Sequence, residues 1–101
     1  MNIELDPKWK DNKEVKHLAK LVEIAMGDTG QCSYVRNFLL HLYNWNNPVD
    51  LVAILCGCDI DITESAFIVM KLRHNQNLEP HHYFVNGTEI FELLLKIKRG
   101  E

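Results

Sequence analysis

The spacing of hydrophobic residues along the chain predicts a domain built mainly from helices. From Asn12 onward, apolar residues recur every three or four positions, which places them on one face of an amphipathic helix. This face consists of Val15, Leu18, Ala19, Val22, Ala25 and Met26. Asp11 or Asn12 is expected to cap the first helix, and Gly27 is expected to end it with a positive φ.

A second apolar stripe follows the turn Asp28–Gln31 and predicts a helix that runs to about Asn44. The stripe consists of Val35, Phe38, Leu39 and Leu42. We expect Trp45–Pro48 to end this helix, because asparagine favours turns and proline disfavours the helical conformation in the residue before it. The apolar run Leu51–Leu55 suits a buried strand or a short buried helix. Pro48 and Asp50 favour the short helix, which Gly57 would end.

The last third of the chain contains two further helical patterns. Asp61, with Glu64 three positions later, is typical of a capping box and predicts a helix to about His74. A second helix would begin at Thr88 and close in a basic last turn that ends at Arg99, while Asn75–Phe84 would be irregular. The sequence therefore predicts an all-α, compact single-domain bundle of four main helices and one short helix over residues 12–101. Residues 1–11 form an N-terminal arm that docks through Trp9, and Val85 could begin a short strand without an evident partner.

Composition limits the classes of protein to which the chain can belong. With 101 residues, 47% of them hydrophobic and 25% charged, it has the length and composition of one globular domain. It lacks the ~18 consecutive apolar residues of a membrane span, and its first residues do not resemble a secretory signal. Three cysteines cannot all pair within one chain. We therefore expect reduced thiols and a cytoplasmic location.

The net charge of −3 is concentrated in the middle of the chain. Between residues 32 and 70 the sole basic residue is Arg36, and the acidic residues there are Asp50, Asp59, Asp61 and Glu64. This balance argues against a general nucleic-acid binder, which concentrates Lys and Arg on one face.

Aromatic residues near helix ends suggest a surface that binds another protein. Tyr34, Tyr43, Trp45 and Tyr83 are of the types enriched at protein interfaces, because each offers a large contact area at low entropic cost. Together with the four acidic residues they form the predicted partner-binding set. The expected partner is another protein or a protein complex, with a homodimer as a further option. We expect no enzymatic activity and no cofactor.

Two alternative functions rest on particular residues. A helix-turn-helix reader of DNA would use Ser33, Tyr34, Arg36 and Asn37 in the groove, but this helix offers one Arg and no Lys to neutralise phosphates. A zinc-stabilised protein would use Cys56, Cys58, His81 and His82, which are all zinc-ligand types. Because one residue between the cysteines is too few to wrap a metal ion, and adjacent histidines usually diverge, the sequence favours no metal. A nucleophilic Cys32 or Cys58 is supported by no catalytic motif.

The segment Gly27-Asp28-Thr29-Gly30-Gln31 has a structural interpretation as a corner between two helices. Asp28 or Thr29 would cap the second helix, Gly30 would permit the change of direction, and Gln31 would bridge backbone groups across the corner.

This segment also carries a family resemblance, together with Val35, Phe38-Leu39-Leu40, Tyr43-Asn44, Asp50-Leu51, Tyr83-Phe84 and Ile90-Phe91-Glu92. Over roughly Leu18 to Leu95 the chain resembles an uncharacterised family of small bacterial proteins carried on plasmids, integrated conjugative elements and prophages of proteobacteria. The resemblance implies cargo of a mobile element, commonly regulatory or directed against host defence, and it implies no catalytic residue. Combined with the acidic middle of the chain, it suggests an inhibitor of a host nucleic-acid-binding or defence complex.

Overall fold

The computed structural model describes residues 2–101 and is built from five α-helices and one short 3₁₀ helix. The helices are α1 (Lys13–Ala25), α2 (Gly30–Tyr43), α3 (Leu51–Cys56), α4 (Ile60–Asn75) and α5 (Gly87–Arg99), with the 3₁₀ helix Pro80–Tyr83 before α5. Within residues 2–101 the β-type pairing is limited to an isolated antiparallel bridge between Leu5 and Phe84. The prediction of an all-α domain with four main helices and one short helix is confirmed.

Helix α1 packs against both α2 and α4 and contributes much of the core. Its buried residues are Val15, Leu18, Leu21, Val22 and Ala25. Four of these five lie on the face predicted from the spacing, whereas Leu21 was not predicted, and the predicted Ala19 and Met26 are half-buried. Helix α5 packs against α2 and the 3₁₀ helix through Ile90, Phe91 and Leu94. Burying such side chains stabilises a fold by about 1.5–3 kcal/mol each.

The N-terminal arm is tied to the chain around the end of the 3₁₀ helix. The Asp6 N–H donates to the Tyr83 carbonyl at 3.0 Å, and the Val85 N–H donates to the Glu4 carbonyl at 2.9 Å. The Trp9 ring packs edge-on against Tyr83, with ring centroids 4.9 Å apart. The arm therefore docks through Trp9 as predicted, and it supplies the pairing partner that the sequence did not reveal for Val85.

Two predicted helix starts are wrong, and so is the conformation predicted for Gly27. Helix α4 begins at Ile60 with Asp59 as its N-cap, so Asp61 lies in the first turn and does not cap it. Helix α5 begins at Gly87, before Thr88. Gly27 does not have a positive φ, which among residues 2–101 occurs at Gly100 alone, where φ is 76°.

Tertiary contacts explain these differences. The Asp59 N–H is bound by the Gln31 Oε1 atom of α2 at 2.8 Å, which orients the chain before Ile60. The Arg36 guanidinium binds the Ala25 and Gly27 carbonyls, which satisfies the end of α1 without a positive φ at Gly27. Gly87 lies so close to the His81 carbonyl oxygen that a Cβ would be 1.8 Å from it.

Candidate functional site

Helix α3 exposes most of its apolar side chains to solvent. Ile54 is its one buried residue, whereas Leu51 and Leu55 are about half exposed and Val52 is 65% exposed. The expectation that Leu51–Leu55 is a buried segment is therefore wrong for most of its side chains. Ile54 is the buried residue that anchors the run to the core, and the exposed apolar side chains face solvent.

The short helix α3 is nevertheless held in place by specific hydrogen bonds. The Asp50 Oδ1 atom accepts from the Ala53 N–H at 3.1 Å, and the Thr63 hydroxyl of α4 donates to the Ile54 carbonyl at 2.6 Å. A helix of six residues is unstable by itself in water, so these contacts and the burial of Ile54 stabilise it. Its exposed side chains are consequently presented on an ordered backbone.

Tyr34 extends the apolar area beyond α3, and Ile60 adds an exposed apolar side chain four residues after it. The Tyr34 ring lies against the end of α3, since a Cβ on Gly57 would be 2.9 Å from the Tyr34 Cε2 atom. Ile60, the first residue of α4, is largely exposed. We define the α3 surface by these apolar residues: Tyr34, Leu51, Val52, Leu55 and Ile60. Soluble monomers rarely expose large contiguous apolar areas without a functional reason.

Acidic residues flank α3 along the chain. Asp50 precedes α3, while Asp59, Asp61 and Glu64 lie at the start of α4, and all four are exposed. Lys20 of α1 forms a salt bridge with Asp61 at 3.4 Å. The other three carboxylates form no salt bridge with any of residues 2–101. We call these four residues the acidic rim.

Trp45 lies at the tip of a fixed turn between α2 and α3 and is 77% exposed. The Asn47 N–H donates to the Asn44 carbonyl at 2.9 Å, and the Asn47 side-chain amide donates to the Leu40 carbonyl at 3.2 Å. The His41 ring, through Nδ1, forms a hydrogen bond of 2.7 Å with the Asn47 carbonyl. The indole is therefore held in solvent by an ordered backbone.

Two of the predicted partner-binding aromatics are wholly or partly buried within the domain. Tyr83 is 2% exposed and packs against Trp9. Burial raises the pKa of the Tyr83 phenol, against a smaller opposing effect of Arg73. Tyr43 is half-buried and stacks on Phe91, with ring centroids 5.0 Å apart. Both residues support the fold around α5, and we leave them out of the interaction surface.

Two of the side chains that the helix-turn-helix hypothesis assigns to the DNA groove form hydrogen bonds within the protein instead. Arg36 is 7% exposed, and its guanidinium donates to the carbonyls of Ala25 at 2.9 Å and Gly27 at 2.5 Å. The Ser33 hydroxyl donates to the Gly30 carbonyl at 2.7 Å. Arg36 thus closes the last turn of α1, where a cation is favourable, and is not presented to a phosphate or a base.

The zinc site predicted as an alternative is not formed, because Cys56 and Cys58 do not converge with His81 and His82. Among residues 2–101, the one convergent group of potential metal ligands is Glu79, His81 and His82, and it contains no cysteine. Burial, followed by the charge of Asp59, raises the pKa of the Cys58 thiol, which disfavours the thiolate that a nucleophile requires. Glu79 is not recognisable as a candidate ligand from the sequence, because its approach to the histidines depends on the turn at Pro80–Tyr83.

Comparison with known proteins identifies a family for the chain. The family described as "Family of unknown function (DUF7673)" matches residues 15–99. No curated protein and no solved structure matches the chain. None of the helices in residues 2–101 has both the length and the apolar character needed to cross a membrane. The chain belongs to the DUF7673 family.

Proposed function

We propose that this member of a family of unknown function acts by binding another protein through the α3 surface. The observation that carries the proposal is an ordered helix whose apolar residues Leu51, Val52 and Leu55 face solvent. In α1 and α5 the corresponding apolar faces are buried against the rest of the domain. The exposed face of α3 thus has no partner within residues 2–101.

Burial of the α3 surface would supply a useful part of a binding free energy. Each of its half-exposed side chains would contribute roughly 1 kcal/mol, since full burial contributes about 1.5–3 kcal/mol. Trp45 belongs to the residue type most enriched among interface hot spots, and its indole is largely exposed. A fixed backbone lowers the entropy lost on association, because fewer groups need to be ordered.

The acidic rim indicates the chemistry of the partner. Lys or Arg side chains placed around an apolar patch would complement Asp50, Asp59 and Glu64, which lack salt bridges in residues 2–101. Opposite charge would accelerate docking and select against acidic partners. A basic nucleic-acid groove on a host complex fits this description. The resemblance to mobile-element proteins supports a role as an inhibitor of such a complex, in the cytoplasm.

The first experiment compares two charge insertions at exposed valines. Val52, in α3, is 65% exposed, and Val85, before α5, is 58% exposed. Tagged wild-type protein and the variants Val52→Asp and Val85→Asp are used to recover partners from a bacterial host lysate. We expect wild type and Val85→Asp to recover the same protein and Val52→Asp to bind it at least about tenfold more weakly, a loss of about 1.4 kcal/mol. Equal recovery by the two variants contradicts the proposal.

A second experiment tests the acidic rim. Glu64→Lys and Glu92→Lys change the net charge equally, and both glutamates are exposed, but only Glu64 belongs to the rim. With the recovered partner, Glu64→Lys should slow association and reduce its dependence on salt, while Glu92→Lys should have the smaller effect. Association rates that are equal in the two variants would contradict a role for the rim.

A second copy of the chain is the alternative occupant of the α3 surface. In a symmetric dimer the two acidic rims would face each other, and like charges across an interface are unfavourable. We therefore expect sedimentation equilibrium to show a monomer. A dimer that Val52→Asp dissociates and Val85→Asp preserves would assign the surface to self-association and overturn the proposal of a basic partner.

A further inference from the structure

The turn before α5 brings one carboxylate and two imidazoles together. Glu79 directly precedes the 3₁₀ helix, which contains His81 and His82. One potential ligand atom from each of the three residues lies within 4.8 Å of the other two. The two imidazole rings have centroids 4.1 Å apart. The spacing of the cysteines and the usual divergence of adjacent histidines argued against a metal site in the sequence. In the structure the two histidines instead converge with Glu79.

The distances in this cluster suit ligands around a metal ion. The His81 Nδ1 atom and the Glu79 Oε2 atom are 3.7 Å apart, which is too long for a hydrogen bond. Two ligands bound at about 2.1 Å to a tetrahedral ion are about 3.4 Å from each other, so a small adjustment would place both on one ion. Two imidazoles and one carboxylate are also a ligand set that Zn²⁺ uses in proteins.

The His81 Nδ1 atom is buried and has no hydrogen-bond partner among the atoms of residues 2–101. An unsatisfied buried polar atom costs about 1–3 kcal/mol, and most such atoms in folded proteins are paired. A bound cation would satisfy this nitrogen, because the neutral imidazole offers a lone pair to a metal.

Close packing holds the turn that carries the three residues. The His82 N–H donates to the Glu79 carbonyl at 3.0 Å. Gly87 of α5 lies against the His81 carbonyl, where a Cβ would be 1.8 Å from the oxygen. The Tyr43 ring packs edge-on against His81, with centroids 5.0 Å apart. The backbone is therefore organised before any ion binds, which favours affinity.

We propose that Glu79, His81 and His82 form a binding site for a divalent transition-metal ion of the Zn²⁺ class. Three protein ligands would leave a fourth tetrahedral position for water or another group. The site lies at the turn before α5 and shares no residue with the α3 surface. The proposal is consequently independent of the proposed function.

Zinc titration of the metal-free protein, in competition with a chromophoric chelator, tests the site. Glu79 and His82 are exposed, so Glu79→Gln and His82→Gln should fold. We expect one Zn²⁺ per chain and a loss of affinity of at least about tenfold in each variant, since even removal of a second-shell partner costs about 10–100-fold. The control His74→Gln removes an exposed histidine outside the cluster and should bind as wild type does.

A fourth variant separates this site from one built on thiols. Cys56→Ser combined with Cys58→Ser should leave zinc affinity unchanged, and Zn²⁺ should shift the ring NMR resonances of His81 and His82 but not of His74. The proposal is overturned if the wild type does not bind Zn²⁺, if Glu79→Gln and His82→Gln bind it normally, or if the double cysteine variant loses it.

Discussion

The corner at residues 27–31 and the α3 surface use their side chains in opposite ways. In the corner, the Thr29 hydroxyl accepts from the Cys32 N–H at 3.3 Å and donates to the Cys32 Sγ atom at 3.0 Å. Gln31 spans to Asp59, 28 residues away, through two hydrogen bonds. The α3 surface, by contrast, directs Leu51, Val52 and Leu55 into solvent.

This contrast assigns the stability of the domain to the corner and the binding of a partner to the α3 surface. Groups in the corner already have partners within the domain, so changing them should lower the free energy of unfolding. Groups on the α3 surface have few internal partners, so changing them should leave that free energy almost unaltered and weaken association.

The largest effect on stability is expected at Arg36, whose guanidinium bonds the carbonyls of Ala25 and Gly27 at the end of α1. Arg36→Leu should lower the free energy of unfolding by about 3 kcal/mol, because charged hydrogen bonds contribute about 1.5–3 kcal/mol each and buried carbonyls would lose their partner. Urea unfolding measures the change. Arg99→Leu, at an exposed position, is the control and should change it by about 0.5 kcal/mol or less. Equal effects of the two changes would contradict the role given to Arg36.

The next largest effect is expected at Gly27. Gly27→Ala should destabilise the protein by about 1–2 kcal/mol, because its Cβ would lie 2.6 Å from the Cys32 Sγ atom and would displace that side chain from its hydrogen bond with Thr29. Gly30→Ala is the control, since a Cβ there meets nothing within 4 Å and alanine favours the helix. Adding Cys32→Ala to Gly27→Ala should recover most of the lost stability, as measured by thermal unfolding. Failure of this rescue would show that the requirement for glycine has another cause.

A smaller effect is expected at Gln31, which joins the start of α2 to the start of α4. Gln31→Ala should cost about 1–2 kcal/mol, because it removes two hydrogen bonds to Asp59, one of them to its backbone N–H. Gln76→Ala, at an exposed glutamine, serves as the control in the same chemical unfolding series. A loss no greater than that of the control would mean that the contact does not stabilise the corner.

The smallest effect on stability is expected on the α3 surface. Val52→Asp should change the free energy of unfolding by less than about 0.5 kcal/mol, because the side chain is exposed and an acid near a helix N-terminus is favourable. Differential scanning calorimetry measures this change, and Val85→Asp is the matched control. A loss of 2 kcal/mol or more would show that the exposed face of α3 supports the fold.

Local pattern predicted much of the fold. The spacing of Val15, Leu18 and Val22 identified both α1 and its buried face, and Asn12 caps that helix by accepting from the Val15 N–H at 3.0 Å. Thr29 caps α2, as one of the two expected residues. These features depend on contacts within four residues, which a sequence displays directly.

Long-range contacts account for most of what the sequence did not predict. The partner of Gln31 is Asp59, and no local rule links them. Tyr83 is buried because the N-terminal arm folds back onto it through Trp9. The apolar run in α3 has the composition of a core segment, and only the packing of the other helices leaves it in solvent.

The central claim is that a protein partner docks on the α3 surface, and site-specific photo-crosslinking in cells tests it most directly. A photoreactive amino acid is placed at position 52 in one variant and at position 85 in the other. We predict that position 52 yields a crosslink to a discrete protein with a basic surface and that position 85 yields none. Crosslinks at position 85 but not at position 52, or none at either position, would contradict the account.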